Sequence, residues 1–199
     1  MSGTAQPNFR DTPLDPKLLS TPFEIETNWH VITGAPCSGK TTLIDLLSDK
    51  GFQIFPEAAR QFFARELGKG RTIDEIRADP AIFTRQIFDM WLELMRDLQA
   101  SDLIFHDRGF PDGFAFYRYA GIDPNEILPA CFRYHYASVF LLNRLPYQLD
   151  NVRAGDDETA AYYEAWTLRD FAALGYNVVR LPVLPPEERL AFILERLSL

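Results

Sequence analysis

The chain is short of the residues that would place it in several common protein classes. It has two cysteines in 199 residues, Cys37 and Cys131. Two distant cysteines make neither a metal spacing nor a disulfide framework, so a zinc module or a disulfide-stapled fold is not expected. No run of ~18 apolar residues occurs, so no membrane-spanning helix is expected. The first residues lack the basic region and apolar stretch of a secretory signal. Net positive charge is also missing: the formal net charge is −8 and the pI about 4.9. That argues against a broad nucleic-acid surface, which needs a basic face. Lysine is scarce, at four residues, and most basic residues are arginines. The forked guanidinium suits phosphate contacts, although a general preference for arginine explains the count equally well. A soluble cytoplasmic protein is the default expectation; the oligomeric state is not legible.

What is present is ordinary globular composition, with 47% apolar and 24% charged residues, enough to bury one core. Residues 1–27 hold four prolines and no periodic apolar face, and read as a loosely ordered N-terminal tail. Residues 28–199 then read as a single domain. Five short apolar runs predict strands: Trp29–Thr33, Phe52–Phe55, Leu103–His106, Ala137–Leu142 and Asn177–Leu181. Helices are predicted over Thr41–Lys50, Glu57–Leu67, the stretch after Pro80, Pro124–Tyr134, Asp157–Leu174 and the segment opened by Pro185 and Pro186. After Pro80 the stripe Phe83, Ile87, Met90, Trp91, Leu94 and Leu98 has helical spacing and reads as core. Strands alternating with helices predict an α/β fold with a parallel sheet, whose ligands bind at the carboxyl ends of the strands.

The residues just after each strand are therefore the candidate chemistry. Gly34-Ala35-Pro36-Cys37-Ser38-Gly39-Lys40-Thr41 fits the phosphate-loop pattern in full, between a strand and a helix. Its glycines let backbone N–H groups curl around phosphate oxygens, and the helix N-terminus adds partial positive charge. Lys40 is expected on the solvent side, reaching the β- and γ-phosphates. Thr41 is expected to place its hydroxyl on Mg²⁺, and ATP is the expected nucleotide. Asp107, at the end of the third strand, is the expected second Mg²⁺ handle or an acceptor base, with Arg108 beside it as a phosphate contact. A structural ion pair is the alternative reading of Asp107 and Arg108. Glu57 either orients an acceptor hydroxyl or only suits a helix dipole. Arg60, one turn on, binds acceptor or phosphate or lies on the surface. The polar loop Asn143–Asp156 carries Arg144 and Arg153; Arg153 is the candidate lid cation, against solvated loop charge as the alternative. Phe110, Phe114, Phe116, Tyr117 and Tyr119 read mainly as core, with a wall for a flat or sugar-like acceptor as the alternative. His30, His106 and His135 form no triad or metal spacing.

From Val31 onward the chain resembles the small kinase-like AAA-domain ATPases related to the ribosylnicotinamide kinase domain. The matching pieces are the phosphate loop through Thr42, Glu57-Ala58-Ala59-Arg60, Asp107-Arg108-Gly109-Phe110-Pro111-Asp112, Asp150-Asn151-Val152-Arg153, Leu174-Gly175-Tyr176 and Pro185-Pro186-Glu187-Glu188-Arg189. The resemblance implies a three-layer P-loop NTPase fold, with a five-stranded parallel sheet in the order 2-3-1-4-5, helices on both faces and a lid near Arg153. It implies ATP and Mg²⁺ and leaves the acceptor open. Two functions compete, beside a nucleotide-binding module with no turnover. One is a small-molecule kinase in which Lys40, Asp107, Glu57 and Arg153 carry the chemistry. The other is a regulatory or switch-type ATPase or GTPase acting through a protein partner.

Overall fold

The computed structural model describes residues 8–36, 38–144 and 157–199. A short strand, β1 (Ile25–Glu26), precedes the first strand of the main sheet, β2 (Trp29–Thr33). The phosphate-loop motif leads into α1 (Lys40–Asp49), and Gly51, at φ 88°, reverses the chain into β3 (Gln53–Phe55). Three helices follow: α2 (Ala58–Gly68), α3 (Ile73–Arg77) and α4 (Pro80–Arg96). Helix α3 begins at a capping box, in which Thr72 Oγ1 accepts from the Glu75 N–H and the Glu75 carboxylate accepts from the Thr72 N–H. Asp79 caps α4 through its Oδ1, which accepts from the backbone N–H of Ala81 and Ile82.

Strand β4 (Ile104–Asp107) leads to α5 (Asp112–Tyr119). The expected helix over Pro124–Tyr134 is broken. A 3₁₀ turn at Pro124–Glu126 passes into the short α6 (Leu128–Cys131), and the chain is already extended at β5 (Tyr134–His135). Pro129 has no N–H to donate to a preceding turn, which favours a fresh helix start at α6 over one continuous helix. The chain then runs through β6 (Ser138–Leu142), α7 (Asp157–Ala173), β7 (Val178–Leu181) and α8 (Pro186–Leu197).

The main sheet is parallel throughout, in the order β3-β4-β2-β6-β7. Counting only its five strands in chain order, this is 2-3-1-4-5. The pleat divides the core in two. Trp29, Val31, Ile104 and Val139 join one buried cluster with Phe62, Phe88, Phe114 and Phe171 of α2, α4, α5 and α7. Ile32, Phe105, Phe140 and Leu181 join a second cluster with Leu43 and Leu47 of α1 and Ile193 of α8. The result is a three-layer α/β fold. No helix among the described residues is long and apolar enough to cross a membrane.

Residues 8–27 are not the loose lead-in that their prolines suggested. Leu14 is buried in the first core cluster, and β1 pairs in parallel with β5. Arg118 Nε donates to Thr12 O at 2.6 Å, and the Asp15 N–H donates to Asn125 Oδ1 at 2.8 Å. Arg118 is itself fixed by Asp170, at 2.6 and 2.9 Å, and by the face of Trp166. The lead-in is held by single anchors at irregular spacing, a pattern with no period to read. Leu14→Ala should therefore destabilise the fold by about 2–4 kcal/mol, the usual cost of emptying a buried leucine site. Urea denaturation of wild type and variant measures this, and an unchanged midpoint would show that the segment is not anchored.

Candidate functional site

Because the sheet strands are parallel, their carboxyl ends share one edge. Asp107 lies in register with Ile32, two residues before Gly34. The phosphate loop leaves β2 through Gly34, where φ is 149°. A Cβ there would approach Leu142 O and Ser38 Oγ to 2.9 Å each, so the close passage over β6 requires glycine. Gly39, at φ 88°, forms the N-cap of α1. Lys40 opens that helix and is buried rather than solvent-facing. Its Nζ donates to Ala35 O, 3.3 Å away in its own loop. Burial, with the neighbouring Arg108 charge, lowers its pKa to about 7, against partial opposition from Asp107, Glu57 and Asp112.

Around this loop the structure gathers most of the residues singled out in the sequence. Arg108 has φ 78°, a left-handed conformation unusual for a residue with a side chain. Its guanidinium donates to Glu57 Oε1 at 2.8 Å and to the Gly34 carbonyl at 3.2 Å. Arg60 donates to Glu57 Oε2 at 3.1 Å and to Thr41 Oγ1 at 2.9 Å. Glu57 thus holds both arginines against the loop. Burial pushes its carboxyl up, but the charge and hydrogen bond of Arg108, with Lys40 and Arg60, outweigh this and leave its pKa below the ordinary value. Asp107 goes the other way: burial and the charge of Glu57 raise its pKa despite Arg108 and Lys40. Its Oδ1 is buried without a hydrogen-bond partner among the described residues.

Two supporting residues had no role assigned from the sequence. Asp112 is fully enclosed; its carboxylate accepts from the Thr33 hydroxyl, from Thr167 Oγ1 at 3.3 Å and from the Gly109 N–H at 2.8 Å. It ties the turn after β4 to the end of β2. Arg189 of α8 donates to Ser38 O at 2.6 Å, a buttress beneath the phosphate loop. Its Nε and Nη2 are buried without partners among the described residues. Both residues stand in the quoted motifs Asp107–Asp112 and Pro185–Arg189, and those motifs were their only signal.

Cys37 and Arg153 lie outside the described residues, as does the lid segment from 145 to 156. Arg144 is engaged by α7, at 2.6 Å from Asp157 Oδ1 and 3.3 Å from Glu164 Oε2. Thr42 is exposed on α1. Among the described residues, no three His, Cys, Asp or Glu side chains converge as a metal site. The donor set that fits a cation is smaller: the orphaned Asp107 Oδ1 and the Thr41 hydroxyl. That suits a magnesium ion carried largely by phosphate oxygens and water.

A cavity of about 220 Å³ opens beside the Glu57–Arg108 pair. Its walls include Phe63, Phe83, Ile87, Phe88, Trp91 and Phe116. The helical stripe on α4 is therefore core along one side and cavity wall along another.

A glycine-turned loop at a helix N-terminus, a buried lysine and an acidic strand end mark a P-loop NTPase with a nucleotide- and small-molecule-kinase-like fold. The family described as "AAA domain" matches residues 29–189, and the chain belongs to it. No curated protein matches the chain. Among solved structures it is similar to shikimate kinase from Aquifex aeolicus vf5, at 18% identity and TM-score 0.50, covering 85% of this chain and 96% of that one. It is also similar to thymidylate kinase from Ehrlichia chaffeensis, at 14% identity and TM-score 0.53, covering 89% of this chain and 100% of that one. Thymidylate kinase from Candida albicans matches at 18% identity and TM-score 0.50, with 86% and 92% covered. At these identities the likeness is one of fold.

Lys40→Ala should weaken binding of a non-hydrolysable ATP analogue by about 1.5–3 kcal/mol, the loss of one charge-assisted contact. Calorimetric titration of both proteins measures it, with circular dichroism as the check on folding. Equal affinities would remove Lys40 from the phosphate site.

Proposed function

We propose that the protein is a Mg-ATP-dependent small-molecule kinase. The observation that carries this reading is the cavity beside the Glu57–Arg108 pair, distinct from the phosphate loop yet sharing its edge. A switch ATPase has no need of a walled space for a second small molecule at that place.

In this reading the loop amides and Lys40 hold the triphosphate, and Thr41 and Asp107 would hold Mg²⁺. The metal supplies neutralisation of charge developing on the phosphate oxygens. Arg60 would leave the Thr41 hydroxyl as the nucleotide enters. Glu57 is clamped by arginines and kept a weak base, which suits it to orient an acceptor hydroxyl. Asp107, whose Oδ1 has no partner among the described residues, is the alternative proton acceptor if it does not hold the metal. As the acceptor oxygen bonds to the γ-phosphorus, the bond to the β–γ bridging oxygen breaks, ADP leaves and the hydroxyl proton passes to a carboxylate or to solvent. Arg108 holds Glu57 and the loop in register and can contact phosphate. Arg153 is the lid cation in this proposal.

The test is ADP release across a panel of hydroxyl compounds. Hydrolysis without acceptor should be slow, because a kinase keeps water from the γ-phosphate until its acceptor arrives. The correct acceptor should raise ADP formation at least tenfold. Asp107→Asn should cut that rate by two or more orders of magnitude, in the range of a lost acid–base or metal-holding group. Brisk basal hydrolysis that no acceptor changes and a protein partner does would replace the kinase with a switch.

A further inference from the structure

The cavity also carries information about what enters it. Its volume is about 220 Å³. An apolar cavity of ~150 Å³ is enough to hold a benzene ring, so this one admits a single ring with short substituents.

Its walls are contributed mainly by aromatic and aliphatic side chains. Phe63 and Phe83 meet with ring centroids 5.3 Å apart, and Phe88 and Trp91 at 5.4 Å. Phe88 is seated against bare backbone: a Cβ on Gly113 would come within 1.6 Å of its ring. The polar groups lie around this apolar surface. Arg108 rests over Phe116, 5.4 Å from the ring centre, and bonds Glu57. Arg77 rests over Phe63 at 5.0 Å and makes no ion pair among the described residues. Within the wall itself, Thr84 and the indole N–H of Trp91 are the polar groups; that N–H is buried and has no partner among the described residues.

Such walls penalise a polyhydroxylated guest. Each hydroxyl buried there without a partner would lower affinity roughly 5- to 150-fold. A flat ring gains instead, from area removed from water and from edge-to-face contact with the surrounding rings.

We propose that the cavity takes the ring of a one-ring, weakly polar aromatic compound, whose hydroxyl lies at the Glu57–Arg108 edge facing the phosphate loop. This rests on the kinase reading for the hydroxyl's role, but not for the binding of the ring.

The experiment separates the two. Calorimetry with Mg²⁺ and a non-hydrolysable ATP analogue present measures affinity for benzyl alcohol, 2-phenylethanol and 3-pyridinemethanol as one-ring compounds. Shikimate serves as the non-aromatic polyol acid and adenosine as the larger compound with a fused two-ring base and a sugar. ADP release is then followed with ATP. At least one one-ring compound should bind tenfold or more tightly than shikimate and adenosine. Ile87→Trp and, separately, Phe83→Trp should weaken that binding at least tenfold by filling the space, while the ATP analogue still binds as a check on folding. Binding of a one-ring compound with no ADP formed keeps the ligand class and removes the kinase reading. Preference for shikimate or adenosine with ADP formed keeps the kinase and overturns the class. Binding of none of the probes, or ring binding untouched by both tryptophan substitutions, overturns the class as well.

Discussion

A single buried guanidinium, that of Arg108, fixes the relation between the parts of the site. It joins the carboxylate that follows β3 to the carbonyl that opens the phosphate loop, from a backbone held at positive φ. That conformation costs about 1–3 kcal/mol, and the surroundings must impose it. Glu57, Asp112 and Asp107 all lie within its field, and their combined charge outweighs burial to keep Arg108 firmly protonated. Removing one partner from a buried ionic arrangement of this sort costs about 3–5 kcal/mol, because the remaining charge stays buried without compensation. Lysine would not replace it, since one ammonium cannot span two acceptors in a planar fork.

The two candidate carboxylates show how position alone separates chemical character. Glu57 and Asp107 feel each other and the same cations. Glu57 accepts directly from two arginines, and that pairing overcomes its burial. Asp107 has no such partner at Oδ1 among the described residues, so burial and the charge of Glu57 win. One is held as a fixed anion and the other is left with coordination to give. The sequence placed both after strands but held nothing to distinguish them, because the distinction depends on which acid the arginines reach.

Legibility followed the range of each interaction. The central strands of the sheet are buried on both faces and run mostly apolar, and the phosphate loop is a contiguous motif, so both could be read locally. Residues 8–27 could not: β1 is two residues long, and its partner β5 lies 109 positions away. The break at α6 was legible in Pro129 but was overridden by the apolar pattern around it. The α4 stripe was read correctly as apolar and incompletely as core, since helical spacing says which side is greasy and not whether the neighbouring layer closes over it. The motif at Pro185–Arg189 marked Arg189 but not its role, because its partner Ser38 is 151 residues distant.

That last distance bears on the order in which the protein acquires its properties. The phosphate loop is shaped partly by a donor on α8, beyond β7, so the motif exists in the chain long before its buttress is in place. A folding intermediate lacking the β7–α8 unit would hold the glycines and the lysine without the support beneath Ser38. On the proposed reading, nucleotide would then favour the completed structure over such intermediates, since a ligand stabilises the state that binds it best. Triphosphate in the cell would thus act on this chain as a late selector of finished molecules.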